Sequence, residues 1–127
     1  MDRLLQMERL FQALGDRTRL RLLNLMSRGE ICVCYFVEIL SEPQPKISRH
    51  LAYLRRAGLV EARRTGKWMQ YRLAQPNDEM SARMLESLLQ SLHKDREMQR
   101  DADALRKVCC AVRLPAALRD APRPGIV

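Results

Sequence analysis

The chain has 127 residues, 46 % hydrophobic but only 5 % aromatic, enough for one modest domain with an appendage and a core of Leu, Ile, Val and Met. Met1 to Glu8 interleaves charged with apolar side chains, so it does not read as a secretory leader. No run approaches the roughly 20 apolar residues of a membrane span, and the chain is expected in the cytoplasm with no membrane partner. The net charge is +8, and residues 43–73 carry +7 of it: Lys46, Arg49, Arg55, Arg56, Arg63, Arg64, Lys67 and Arg72 face Glu61 alone. A positive field so localised is the footprint of a polyanion. The four cysteines, in a compartment that keeps thiols reduced, read as ligands, redox groups or core residues before a disulfide frame.

Leu4, Leu5, Met7, Leu10, Phe11 and Leu14 recur at helical spacing, predicting a first helix from about Asp2 that Gly15 ends. Asp16 is placed to cap a second helix filled by Leu20, Leu22, Leu23, Leu25 and Met26 and closed by Gly29. Val33, Phe36, Val37 and Leu40 form the buried stripe of a short third helix. A turn at Ser41-Glu42-Pro43 follows, then a fourth helix with Gln44 as cap and Pro45 as its first residue. Ile47, Leu51 and Leu54 face inward there, and Gly58 supplies the left-handed stop. Leu59 to Arg63 and Trp68 to Leu73 are β-prone, with Gly66 between them where a hairpin needs positive φ. Beyond Pro76, with Asn77 or Asp78 as cap, Met84, Leu85, Leu88, Leu89 and Leu92 form one apolar face. Met98, Ala102, Leu105 and Cys109 continue it past a polar interruption at His93 to Glu97, as one helix or two.

Short helix, tight turn, proline-started helix and basic hairpin together predict a mainly α fold with a small β-hairpin wing, a winged helix-turn-helix. Residues 1–92 form the DNA-binding and dimerisation domain, 93–113 a helical extension with Cys109 and Cys110, and 114–127, rich in proline, a disordered tail. The outward face of the fourth helix presents Gln44, Lys46, Ser48, Arg49 and Tyr53. Gln44 and Arg49 are the base-reading candidates, because Gln and Arg can pair two-pronged with adenine and guanine edges. Lys46, Ser48 and Tyr53 suit phosphate and sugar contacts, and Arg63, Arg64, Thr65 and Lys67 at the wing suit the flanking backbone or minor groove. His50 is either a packed side chain or a contact. No C-x-x-C, nucleotide loop or Cys/His pairing points to an enzyme.

Leu14-Gly15-Asp16-Arg17-Thr18-Arg19-Leu20-Arg21-Leu22-Leu23, Glu30-Ile31-Cys32-Val33-Cys34, Gln44-Pro45-Lys46-Ile47-Ser48-Arg49-His50-Leu51 and Gly66-Lys67-Trp68 resemble, in that order, the ArsR family of metalloregulators. The resemblance covers about two thirds of the chain. It implies a homodimer, paired through the first and last helices, that holds double-stranded operator DNA until an effector binds. It also implies that Cys32 and Cys34 carry thiolates for arsenite or antimonite, or for cadmium and lead in a related branch. That branch adds cysteines on an N-terminal extension, whereas the first cysteine here is Cys32. The zinc, nickel and cobalt spacing, started at Asp78, meets Met80, Ser91 and Lys94, none of them suitable.

Two departures from the pattern stand out: Val37 occupies the place of a common third cysteine, and Tyr35 that of a common aspartate. A third thiol then comes from Cys109 or Cys110, from a partner subunit, or from a small thiol such as glutathione. Within a regular helix Cys32 and Cys34 would lie about 200° apart around the axis, too far for one ion. In extended backbone they would share a face. Either the segment precedes the helix, or binding unwinds the first turn and displaces the fourth helix. Closure of the thiols by oxidation, or persulfide sensing, is the alternative reading on the same fold.

Overall fold

The computed structural model describes residues 2–109, 111 and 113–125. The elements run α1 (Arg3–Leu14), α2 (Arg17–Met26), β1 (Ile31–Cys32), α3 (Val33–Leu40), α4 (Gln44–Arg56), β2 (Val60–Thr65), β3 (Trp68–Leu73), α5 (Glu79–Leu92), α6 (Arg96–Cys109) and a 3-10 turn (Ala116–Leu118). This is the expected winged helix-turn-helix, with differences that matter for the site.

Local chemistry sets most boundaries. The Asp16 carboxylate accepts from the Arg19 amide at 3.0 Å and starts α2, while Asp78 does the same for Ser81 and starts α5. At the end of α4 the Gly58 amide donates to Arg55 O and the Leu59 amide to Leu54 O, both at 3.0 Å. With Gly58 at φ 78°, this is the Schellman pattern, and it packs Leu59 on Leu54, both fully buried. The cap of α4 falls one residue earlier than expected. Pro43, at φ −61° and ψ 144°, is the extended cap, and Gln44 is the first helical residue. Pro45 is still tolerated, because no amide in the first turn has a partner within the helix.

The wing is a two-residue hairpin. Thr65 pairs with Trp68, and Gly66, at φ 61°, takes the first central position that a type II′ turn reserves for glycine. Strand β2 thus extends to Thr65, two residues past the expected end. The sheet also has a third strand, β1, invisible to periodicity because it is two residues long. It adds to the outer edge of β3, with Ile31 opposite Tyr71 and Cys32 opposite Gln70.

The C-terminal region breaks into two helices. Asp95 accepts from the Met98 amide at 3.1 Å and restarts the chain as α6. The apolar stripe of α6 (Met98, Ala102, Leu105) is buried within its own chain, and its polar side is tied to α2: Asp101 takes both Nε and Nη2 of Arg21, at 2.8 and 3.0 Å. Asn24 donates to Met98 O at 2.9 Å beside that pair. The α6 segment is therefore part of the core instead of an appendage. The region read as a disordered tail also differs. From Leu114 to Gly125 it folds back, burying Leu118 completely and Ala121 almost so, because its few apolar residues meet a groove on α3. Outward-facing apolar surface lies chiefly on α1, where Leu4 and Phe11 are 71 % and 54 % exposed, and on α5, where Met84, Leu88 and Leu89 are half-buried. No helix among the described residues is long and apolar enough to cross a membrane.

Candidate DNA-binding face and thiol site

In α4 the inward residues Ile47, Leu51 and Leu54 are all fully buried, so the helix cannot rotate about its axis without uncovering them. That fixes which side chains point outward. Gln44 and Arg49 are exposed, and Lys46 and Ser48 half-buried. Lys46 pairs with Glu42 at 3.0 Å across one turn. Tyr53 is placed differently from a free phosphate contact. Its ring packs against the core and carries the Arg19 guanidinium 4.3 Å above it, with Arg56 5.4 Å away. Arg19 also donates to Ala13 O at 2.8 Å and to Gln12 O at 2.9 Å, and meets His50 Nδ1 at 3.2 Å. His50 is thus a packed residue joining α2 to α4. Burial pushes its imidazole below the ordinary histidine value, with Asp16 pulling the other way.

On the wing, Arg64 and Lys67 are exposed, and the Lys67 ammonium sits 5.1 Å from the Trp68 ring. Arg63 is turned back instead: its guanidinium forms a fork with Glu30, with Nη2 to Oε1 at 2.5 Å. Glu30 immediately precedes β1, so this pair ties the root of the thiol segment to the wing. Glu30 and Arg19 stand in the motifs quoted above, but nothing in the sequence assigns them these contacts, and Gln70 is not marked at all. Their partners lie 33, 31 and 5 residues away, and only the fold brings them together.

The thiols occupy the junction of strand and helix. Cys32 ends β1 and caps α3 with φ −69° and ψ 141°, and Cys34 is the second residue of α3. The pair straddles the boundary, so the angular separation inside a helix does not apply. The Cys34 thiol donates to Cys32 Sγ at 3.2 Å, and no unwinding is needed to bring the two sulfurs together. Cys32 is fully buried and Cys34 half-buried, so access is from the Cys34 side. The thiol hydrogen bond from Cys34 stabilises the Cys32 thiolate and lowers its pKa to about 7 against the cost of burial. The same bond, with burial, pushes Cys34 up. The neighbouring Tyr35 is fully buried, its hydroxyl without a hydrogen-bond partner among the described residues, and burial and the nearby thiols raise its pKa. Cys109 ends α6 and donates from Sγ to Pro124 O at 3.2 Å. Cys110 lies outside the described residues. Among the described residues, no three acidic, His or Cys side chains already stand at metal-holding separation.

The profile of the family described as "Bacterial regulatory protein, arsR family" matches residues 16–62, from the cap of α2 into β2. The solution structure of the homodimeric winged helix-turn-helix DNA-binding domain Mb0332 from Mycobacterium bovis, titled a possible ArsR-family transcriptional regulator, is 32 % identical. It matches with a TM-score of 0.59 over 76 % of this chain and 85 % of that one. The chain belongs to the arsR family. Reduced HlyU from Vibrio cholerae is 31 % identical, with a TM-score of 0.58 over 71 % of this chain and 90 % of that one. The arsenical resistance operon repressor of Escherichia coli K12 is 53 % identical over 51 % of this chain and 56 % of its own length. The chain spans about half the length of the curated arsenic-resistance regulators it matches. The chain thus has the winged-helix fold of a family described as bacterial regulatory proteins.

Proposed function

We propose that this arsR-family chain is a dimeric repressor that holds operator DNA and lets go when arsenite or antimonite bonds to Cys32 and Cys34. The observation that carries the reading is the 3.2 Å approach of the two sulfurs at the junction of β1 and α3. Thiolates are soft ligands, and a trivalent metalloid is a soft acceptor. The junction also touches both DNA-facing elements. Through the ladder, Cys32 faces Gln70 of β3, and Gln70 Nε2 donates to Thr65 Oγ1 at 2.8 Å, at the root of the wing turn. On its other side α3 packs directly on α4. A metalloid that resets the distance and direction of the two sulfurs moves the end of β1 against the first turn of α3. The recognition helix and the wing both rest on that hinge.

Gln44 and Arg49 read bases; Lys46, Ser48, Arg64 and Lys67 hold phosphates; Tyr53 positions Arg19 and Arg56 for the backbone; and Arg63 acts through its fork with Glu30. The outward apolar faces of α1 and α5 pair two copies, so that two recognition helices meet one duplex. A repressor acting on operator DNA would carry out this role in the cytoplasm. The repressor name carried by the Escherichia coli relative supports the arsenical reading.

Fluorescence anisotropy of the reduced protein on its own upstream DNA tests this directly. Arsenite should release the wild type and leave Cys32→Ser/Cys34→Ser bound. DNA binding that arsenite does not disturb in the wild type overturns the effector. A second reading has one observation behind it: sulfurs at 3.2 Å, one of them a thiolate near neutral pH, also suit oxidation. Release by peroxide without metalloid would favour it.

A further inference from the structure

We propose that Cys109, at the C-terminal end of α6, supplies the third sulfur to the trivalent metalloid held by Cys32 and Cys34, giving up its contact with the C-terminal tail to do so. The inference rests on the arsenite reading and deepens it by naming the ligand set.

Three placements point to Cys109. Helix α6 packs against α3, and Leu105, one turn before Cys109, is fully buried in the same cluster as Cys32. Cys34 and Val108 pack against that cluster from its edge. Tyr35, buried and with no hydrogen-bond partner for its hydroxyl among the described residues, lies within electrostatic reach of thiols from both segments, Cys34, Cys109 and Cys32, and of Arg123. The α3 pair alone offers two sulfurs, while a trivalent metalloid accepts three. Cys109 is the last residue of its helix, where fraying lets the side chain swing without breaking an internal turn. Its contacts run to the C-terminal tail: Sγ donates to Pro124 O at 3.2 Å, and Arg123 donates to Cys109 O at 3.4 Å.

The exchange balances without an oxidant. Arsenous acid carries three hydroxyls on As(III). Each thiol forms an As–S bond as an As–O bond breaks, and its proton leaves with the hydroxide as water. Three thiols release three waters, and arsenic stays trivalent. The product is neutral, so it needs no cationic partner beside the buried Tyr35 ring. Cys109, having lost its S–H, no longer donates to Pro124 O, and the tail loses that anchor.

The experiment is arsenic K-edge X-ray absorption on the full chain, reduced with a phosphine so that no small thiol competes. Wild type, Cys109→Ser, Cys109→Ala, Cys110→Ser and Cys32→Ser/Cys34→Ser are each loaded with arsenite, with circular dichroism confirming the fold. The proposal expects three sulfurs in the wild type and in Cys110→Ser. It expects two sulfurs and one oxygen in both Cys109 variants, where two different substitutions guard against one that misfolds. Three sulfurs persisting in the Cys109 variants, two in the wild type, or a loss in Cys110→Ser instead, overturns the assignment of Cys109 and leaves the Cys32/Cys34 reading standing. Arsenic held by sulfur equally well in Cys32→Ser/Cys34→Ser overturns both.

Discussion

Cys32 and Cys34 are chemically unequal although two residues apart. One accepts a thiol hydrogen bond and is lowered to about 7; the other donates it and is raised. A pH titration of thiolate ultraviolet absorbance should show one group ionising near 7, and Cys34→Ala should return that group toward the ordinary thiol range. A titration unchanged by Cys34→Ala would contradict the assignment. His50 offers a second residue-scale test. Burial lowers its folded value below the ordinary 6.5, so the neutral ring is favoured in the fold. The stability this contributes is fully present above the unfolded value and is lost as pH falls toward the folded one. Thermal melts should therefore show less acid destabilisation between about pH 7 and 5 in His50→Asn than in the wild type. An identical pH slope in the two proteins counts against it. Tyr35 shows where residue-scale reading stops. Its place in the sequence marks only a departure from the family pattern, and the orphaned hydroxyl among thiols appears once α6 and the tail are folded against α3.

At the scale of elements, the parts with dense local signals were legible. The inward triplet of α4, the Asp16 and Asp78 caps, the Gly58 stop and the glycine of the wing turn each rest on a few neighbouring residues. The parts set by distant contacts were not. Strand β1 is too short for any alternation to show, and it exists because β3 offers it an edge. The Arg63–Glu30 fork and the Arg19–His50 contact form between segments that only the fold juxtaposes. The turn before α4 holds one strained point, Ser41 in the left-handed region at φ 54°. Glycine pays no Cβ penalty there, so Ser41→Gly should stabilise the protein by about 0.5–1 kcal/mol in denaturant melts, and a loss of stability would show that the serine side chain matters more. On the wing, Lys67→Ala should weaken all DNA sequences alike and reduce the salt slope by about one, whereas Arg49→Ala should relax preference at particular bases. Changed base preference alone for Lys67→Ala would contradict this division.

At the scale of the molecule, α6 is bound to the DNA-binding core by a largely buried ion pair. Removing Asp101 leaves Arg21, which is only 21 % exposed, with Glu97 at 3.4 Å as its remaining carboxylate partner, and Asp101→Ala should cost about 1.5–3 kcal/mol by urea unfolding. A cost near zero would mean that α6 docks through apolar contact alone. Composition misdirected the reading of this region, because proline content argues for disorder while two small apolar residues, Leu118 and Ala121, suffice to seat the described tail on α3. Release by a metalloid requires that the thiol junction and the DNA-facing surface be energetically coupled. Coupling is reciprocal: if arsenite weakens operator binding by some factor, operator must weaken arsenite binding by the same factor. The measurement is therefore the arsenite affinity of the free protein and of the operator-bound protein, at one salt concentration. Arsenite should bind more weakly on DNA, by the factor seen in the DNA titration. Equal arsenite affinity in the two states would contradict the coupling, whatever the sulfurs bind.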